Sequence, residues 1–267
     1  PQIRIMGHVR LGTLPKTRAW KNVIELIANE ADVEEIASAT FDAADKAFES
    51  IQNDEGFLET VELMKELAVA AKSDDPLEHL KSIGIDLPDK PSVIDVGIAL
   101  TDAVDRTIET KGIRSDFNEL AHGALSSAVM SHLDQRFGPM FAATGDEVLS
   151  ALADLGKPSE FGRLSRSFFG KATNDSLSYF LSQHLGTQVG PDQPFATVNR
   201  MDQFEQAMKT HCHEAAEIVE RFSRDWFSKN FYFDDGNIQS RKTKGFGAHA
   251  MTKMRAELKM RAEHIDA

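Results

Sequence analysis

The chain has 267 residues, 41% hydrophobic and 27% charged, with a net charge of −12. That length supports a substantial core in one large or two modest domains, and no run approaches the roughly 18 apolar residues of a membrane span. One cysteine excludes an internal disulfide, and Pro1-Gln2-Ile3-Arg4-Ile5-Met6 lacks the apolar heart of a signal peptide, so the expected setting is reducing and cytoplasmic.

Ile3 to Leu11 alternates weakly and predicts a short strand or an extended arm, followed by a turn at Gly12-Thr13-Leu14-Pro15. Trp20, Val23, Ile24 and Ile27 then recur at helical spacing as far as Asn29, with Thr13 or Thr17 as the cap. Asp32 opens a second helix with Val33, Ile36, Ala37, Phe41, Ala44, Phe48 and Ile51 inward. Asn53-Asp54 caps a third, lined by Phe57, Leu58, Val61, Met64, Leu67 and Ala71. Ser73-Asp74-Asp75-Pro76 starts a short helix with proline at a first helical position, and the pattern ends before Gly84. Leu87-Pro88-Asp89-Lys90-Pro91 reads as a rigid linker. It divides an N-terminal helical part, 1–90, from a C-terminal part, 91–267, unless the two form one continuous domain.

Ser92 caps a helix with Val93, Val96, Ile98, Leu100, Val104 and Ile108. Ser115 or Asp116 opens another through Phe117, Leu120, Leu125, Val129, His132 and Leu133, stopped at Gly138-Pro139. Asp146 begins a modest helix that ends at Gly156-Lys157-Pro158. Ser159 caps a segment with Phe161, Leu164, Phe168 and Phe169, and Thr173 or Asn174 restarts it through Leu177, Phe180, Leu181 and Leu185. Residues 186–199 read as a loop. Met201 to Phe233 is the longest helical pattern, with Phe204, Met208, Cys212, Ala215, Val219, Phe222 and Trp226 on one face. The C-terminal part is expected to be organised around this helix, over 201–229. Asp234-Asp235-Gly236-Asn237 breaks it, and a last helix from about Phe246 carries Met251, Met254, Leu258 and Ile265. No βαβ alternation and no regular repeat is present, so the expectation is all-α: an irregular multi-helix bundle of about ten helices.

Charge is segregated along the chain. Residues 1–24 hold Arg4, Arg10, Lys16, Arg18 and Lys21 and no acid, whereas residues 25–110 hold 22 Asp/Glu against 6 Lys/Arg. Residues 239–261 are basic again, with Arg241, Lys242, Lys244, Lys253, Arg255, Lys259 and Arg261 against Glu257. The plain reading is solvated helix faces. The sharper one is that the basic ends meet each other, an acidic partner surface, or phosphates.

Few constellations suggest chemistry. In His211-Cys212-His213-Glu214, His213 shares a helix face with Glu217, but two ligands do not make a metal site. His211 lies about 200° away from His213 around a helix, and Cys212 falls in the apolar stripe as an ordinary buried thiol. His213 and Glu217 are thus weak metal candidates, and no cofactor is expected. Glu119-Leu120-Ala121-His122 is half of a di-iron pattern whose second copy is missing. Gly170-Lys171-Ala172-Thr173 resembles the end of a phosphate loop, yet Ser165 replaces the earlier glycine and no strand precedes it. Ser165, Ser167 and Ser176, near Lys171 and Asp175, lack the strand-turn-helix context of a nucleophile. Trp226, Phe227, Phe231, Tyr232 and Phe233, beside Arg221, Arg224 and Lys229, read first as core, then as a protein interface, then as a stacking surface for bases.

Leu11-Gly12-Thr13-Leu14-Pro15 with Arg18 and Trp20, Glu220-Arg221-Phe222-Ser223 running into Trp226-Phe227-Ser228-Lys229, and Met254-Arg255-Ala256-Glu257-Leu258 together resemble uncharacterised bacterial helical proteins encoded beside antiphage-defence genes. The resemblance covers the two ends better than the middle and brings no catalytic residues. It implies a bacterial cytosolic accessory protein working with separately encoded enzymes. With no complete catalytic set, the reading leans towards a non-enzymatic adaptor or subunit of a multi-protein assembly. Its expected contacts with a protein partner are Arg4, Arg10, Arg18, Trp226, Lys229, Arg241, Lys242 and Lys244. The alternatives are a nucleic-acid-binding module using the basic ends, and an enzyme whose site is assembled from distant residues.

Overall fold

Eleven α-helices and no strand make up the described residues of the computed structural model, which are 18–29, 31–113, 115, 117–137, 143–185 and 198–265. They are α1 (Arg18–Ala28), α2 (Val33–Ile51), α3 (Glu55–Ala70), α4 (Pro76–Ser82), α5 (Val93–Lys111), α6 (Asn118–Phe137), α7 (Gly145–Asp154), α8 (Pro158–Leu185), α9 (Val198–Ala215), α10 (Glu217–Phe233) and α11 (Ser240–Ile265). The all-α expectation therefore holds. The arm over 3–11, the turn at 12–15, the stop at Gly138-Pro139 and the loop over 186–197 lie outside the described residues.

Local chemistry sets most helix starts. The Asp54 carboxylate accepts the Phe57 amide at 2.9 Å, and Asp75 accepts the Glu78 amide at 3.1 Å just ahead of Pro76. Ser92 and Asp95 form a reciprocal capping box on α5, and Thr144 and Glu147 form one on α7. The backbone amide and hydroxyl of each cap residue hold the Asp95 and Glu147 carboxyls below the usual carboxylate range. The helix α7 is thus capped by Thr144 and begins at Gly145, one residue earlier than Asp146. Gly112, at φ 61°, closes α5 in the left-handed conformation.

The centre of the molecule is α8 with α3, not the long 201–233 pattern. α8 packs against α6, α9 and α10, and α3 packs against α5, α6 and α11. The two meet where the Phe57 ring lies 5.8 Å from those of Phe168 and Phe169. Buried apolar side chains form one cluster from Trp20 to Leu258, on both sides of the 87–91 linker. α8 runs unbroken through Thr173 and Asn174, where a restart was expected. Burial on several sides overrides those local signals, and the hydroxyls of Ser165 and Ser176 donate to carbonyls one turn back rather than capping anything.

The 201–233 pattern is two helices. Ala216, at φ −71° and ψ −3°, separates α9 from α10. Its neighbours explain why. A Cβ on Gly170 of α8 would lie 3.2 Å from the His213 Cα and 3.4 Å from the Ala216 Cβ, and one on Gly162 would lie 2.8 Å from the Glu220 carbonyl oxygen. Two bare positions on α8 thus let the backbones of α9 and α10 press onto it on either side of the break. Phe204, Met208, Cys212, Ala215 and Val219 are all buried, so the apolar face carries on across it. α11 begins at Ser240, ahead of the expected Phe246.

Candidate functional site

The basic segment 239–261 meets the acidic part of its own chain. Lys244 of α11 and Lys111 of α5 each place Nζ 2.6 Å from an oxygen of the buried Glu59 carboxylate on α3. Burial pushes the Glu59 carboxyl up, but the two lysines outweigh it and hold the group below its usual range. Arg255 and Lys259 reach Asp45 of α2 at 2.9 and 3.3 Å, Lys242 reaches Asp234 at 2.7 Å, and Arg261 reaches Glu257 and Glu214 at 3.0 and 3.2 Å. Lys65 of α3 is 1% exposed, and its Nζ donates to the Ile238 carbonyl at 3.1 Å beside Glu62 and Glu66. These contacts form a seam between α3 and the start of α11. Of the basic residues expected to face a partner, Arg18 and Arg241 are exposed and make no ion pair among the described residues, while Arg4 and Arg10 lie outside those residues.

The aromatic run divides. Phe227 is fully buried against Phe161, with ring centroids 4.6 Å apart. Trp226 is half-buried, stacks on Phe246 at 4.3 Å and lies 6.3 Å from the Phe161 ring. Phe231 is half-buried beneath the Lys72 ammonium, 4.6 Å from its centroid. Tyr232 and Phe233, at the end of α10, are 81% and 71% exposed and meet edge to face at 5.7 Å. Lys229 is exposed one turn before them.

A polar cleft, which sequence reasoning missed, opens between α6, α8 and α9. One lobe of about 480 Å³ is lined by Ser127, Ser131, Lys171, Asn174, Lys209 and Thr210. A second, of about 390 Å³, is lined by His132, Arg136, Glu160, Arg163, Arg166 and Glu220, and the two share Gln135, Ser167 and His213. Each helix contributes a polar stripe at helical spacing: Ser127, Ser131 and Gln135 from α6, Arg163, Ser167, Lys171 and Asn174 from α8, and Gln206, Lys209 and His213 from α9. Arg166 donates through Nε to the His213 carbonyl and through Nη1 to Glu220, both at 3.2 Å. Arg163 donates through Nη1 to Glu160 at 2.5 Å, and Arg136 is paired with Asp154. Burial, aided by Arg136 and Arg163 and opposed by Glu160, holds the His132 imidazole below its ordinary pKa. Burial and Arg166, opposed by Glu220 and Glu214, do the same for His213. Both rings are therefore neutral at pH 7.

The remaining motifs resolve into packing. Ala216 interrupts the helix between His213, which faces the cleft, and the exposed Glu217. Among the described residues no three His, Cys, Asp or Glu gather as a metal site. Burial pushes the Cys212 thiol far above its usual pKa, which leaves it protonated and unreactive. His122 lies 3.1 Å from Asp105 of α5. No described helix is long and apolar enough to cross a membrane. No family model, curated protein or solved structure matches this chain.

Proposed function

We propose that this protein is a non-enzymatic helical adaptor that receives an apolar segment of a protein partner at the end of α10. The observation that supports this most directly is the adjacent pair Tyr232 and Phe233, 81% and 71% exposed. Single exposed apolar residues are ordinary, but paired aromatics are the side chains that anchor interfaces. Around them Lys229, Asp234 and Lys242 supply a charged rim. Earlier on the same helix, Trp226 is held by its stack on Phe246. The resemblance at the chain ends favours a bacterial assembly associated with antiphage defence as the setting. Nucleic acid is the weaker reading, because Lys242, Lys244, Arg255, Lys259 and Arg261 already hold carboxylates of this chain and the net charge is −12.

The test places a photo-crosslinking benzophenone amino acid at Tyr232, and separately at Ile94 on α5, in cells of the native host. The expected result is a covalent adduct with one protein from position 232 that is lost in Phe233→Ser. Adducts with nucleic acid, or the same set of adducts from both positions, would overturn the proposal. A gel-shift with Arg241→Glu serves as the control for phosphate binding. It is preferable to changing Lys244, which holds Glu59 and so would perturb the fold.

A further inference from the structure

We propose that the cleft between α6, α8 and α9 is a binding site for a small sugar phosphate, separate from the aromatic end of α10. Its first support is charge. The chain as a whole carries −12, yet Arg136, Arg163, Arg166, Lys171 and Lys209 line the cleft against Glu160 and Glu220, with Asp154 and Asp175 pairing Arg136 and Lys171 from beside it. The excess there is of cations, and a concave surface with such an excess draws anions. The second support is how the arginines are held. Arg136 and Arg163 each engage a carboxylate through Nη1 alone, and Arg166 uses Nε and Nη1, so Nη2 of all three has no partner among the described residues. One carboxylate fixes each guanidinium plane and leaves N–H donors in the fork geometry that suits a phosphate.

The third support is the other lobe. Several helical hydroxyls of this protein donate to carbonyls four residues back, those of Thr60, Ser165 and Ser176 among them, whereas those of Thr173, Ser223 and Thr243 are buried without a partner among the described residues. Ser127, Ser131 and Ser167, all on the cleft, make no hydrogen bond among the described residues. Asn174 adds a buried Oδ1 that has no partner among the described residues. Donors and acceptors left uncommitted beside an anion-binding end suit a body rich in hydroxyl groups. The lobes, about 480 and 390 Å³, fall within the ordinary range for small-molecule sites. Among the described residues no phenylalanine, tyrosine or tryptophan lines either lobe, so a nucleobase would find there no ring to stack on apart from the imidazoles. That selects a sugar phosphate over a nucleotide.

The experiment is calorimetric titration of the full chain with ribose 5-phosphate, and in parallel with ribose, inorganic phosphate and AMP. Ribose 5-phosphate is expected to bind with a Kd below about 1 mM, at least about 10-fold tighter than inorganic phosphate, with AMP no tighter and ribose inert. Arg163→Gln/Arg166→Gln is expected to weaken binding about 10-fold or more, and Arg241→Gln to leave it unchanged. If the double variant does not fold, Lys209→Glu decides, because Lys209 is exposed and carries no ion pair among the described residues. Absence of ribose 5-phosphate binding, or binding indifferent to Lys209→Glu and to the double variant, would overturn the site. AMP or inorganic phosphate binding more tightly than ribose 5-phosphate would overturn the ligand class.

Discussion

The seam between α3 and α11 and the cleft between α6, α8 and α9 both pair cations with carboxylates, but they do so in opposite geometries. In the seam the anion is buried and the cations come to it: Glu59 is 4% exposed at its side chain, while Lys111 and Lys244 are 51% and 36% exposed. Lys65 goes further, because its ammonium is itself enclosed and caps the Ile238 carbonyl. In the cleft the guanidiniums sit at the water boundary, and each gives up only part of its donor set. Desolvation makes the seam pairs costly to break. Solvent screening makes the cleft pairs cheap to rearrange. The same residue types therefore hold the fold in one place and stand available to a ligand in the other.

The largest effect expected is from Lys65→Ala. Removing this ammonium strips a buried carbonyl of its donor and leaves Glu62 and Glu66 facing a void, which should cost about 3 kcal/mol in denaturant unfolding. Lys65→Met, which keeps most of the stem volume, should cost less. Equal losses in the two variants would mean that Lys65 acts through its charge and not through the packing of its stem.

The next effect separates the two regions by pH. Glu59 and Asp45 are held below their ordinary pKa values of 4.5 and 3.8 in the folded chain, so their contribution is fully present above those values and is lost as pH falls towards the folded ones. His132 and His213 are depressed below 6.5, so the unfolded chain takes up protons first and stability begins to fall below about pH 6.5. Thermal melts against pH should therefore show a gentle decline starting near 6.5 and a steeper one below about 4.5. Glu59→Gln should flatten the lower decline alone, and His132→Gln the upper alone. A single decline unaffected by His132→Gln would place that imidazole in solvent.

What could be read from the sequence was what is decided locally. Asp54, Pro76 and Ser92 start helices through contacts within one turn, so their spacing was enough. The break at Ala216 was hidden because alanine is a good helix former and the apolar stripe runs through it; the bare position that lies against it, Gly170, sits on another helix. Trp226 was expected in the core with Phe227, but only Phe227 points fully inward, and one residue step around α10 makes that difference. The cleft was hidden for a similar reason. Its stripes on α6, α8 and α9 each look like a solvated face, and only their convergence makes a site. The seam left a clearer trace, since Glu59 and Lys65 are charged residues buried in a helix whose other buried positions are nearly all apolar.

The smallest effect expected is from Arg163→Gln. Its guanidinium is 61% exposed and its partner Glu160 is only three residues back on the same helix. Exposed pairs at that spacing are worth about 0.3–0.5 kcal/mol. Stability at pH 7 should therefore change by less than about 0.5 kcal/mol, within the usual range for a surface change. Lys244→Gln, with a lysine that is also partly exposed, should cost more, because it takes one of two cations from a carboxylate that cannot reach water. Comparing these two variants by denaturant unfolding tests the contrast directly. A loss for Arg163→Gln as large as that for Lys244→Gln would make the cleft arginines part of the scaffold, and their donors would then no longer be free for a ligand.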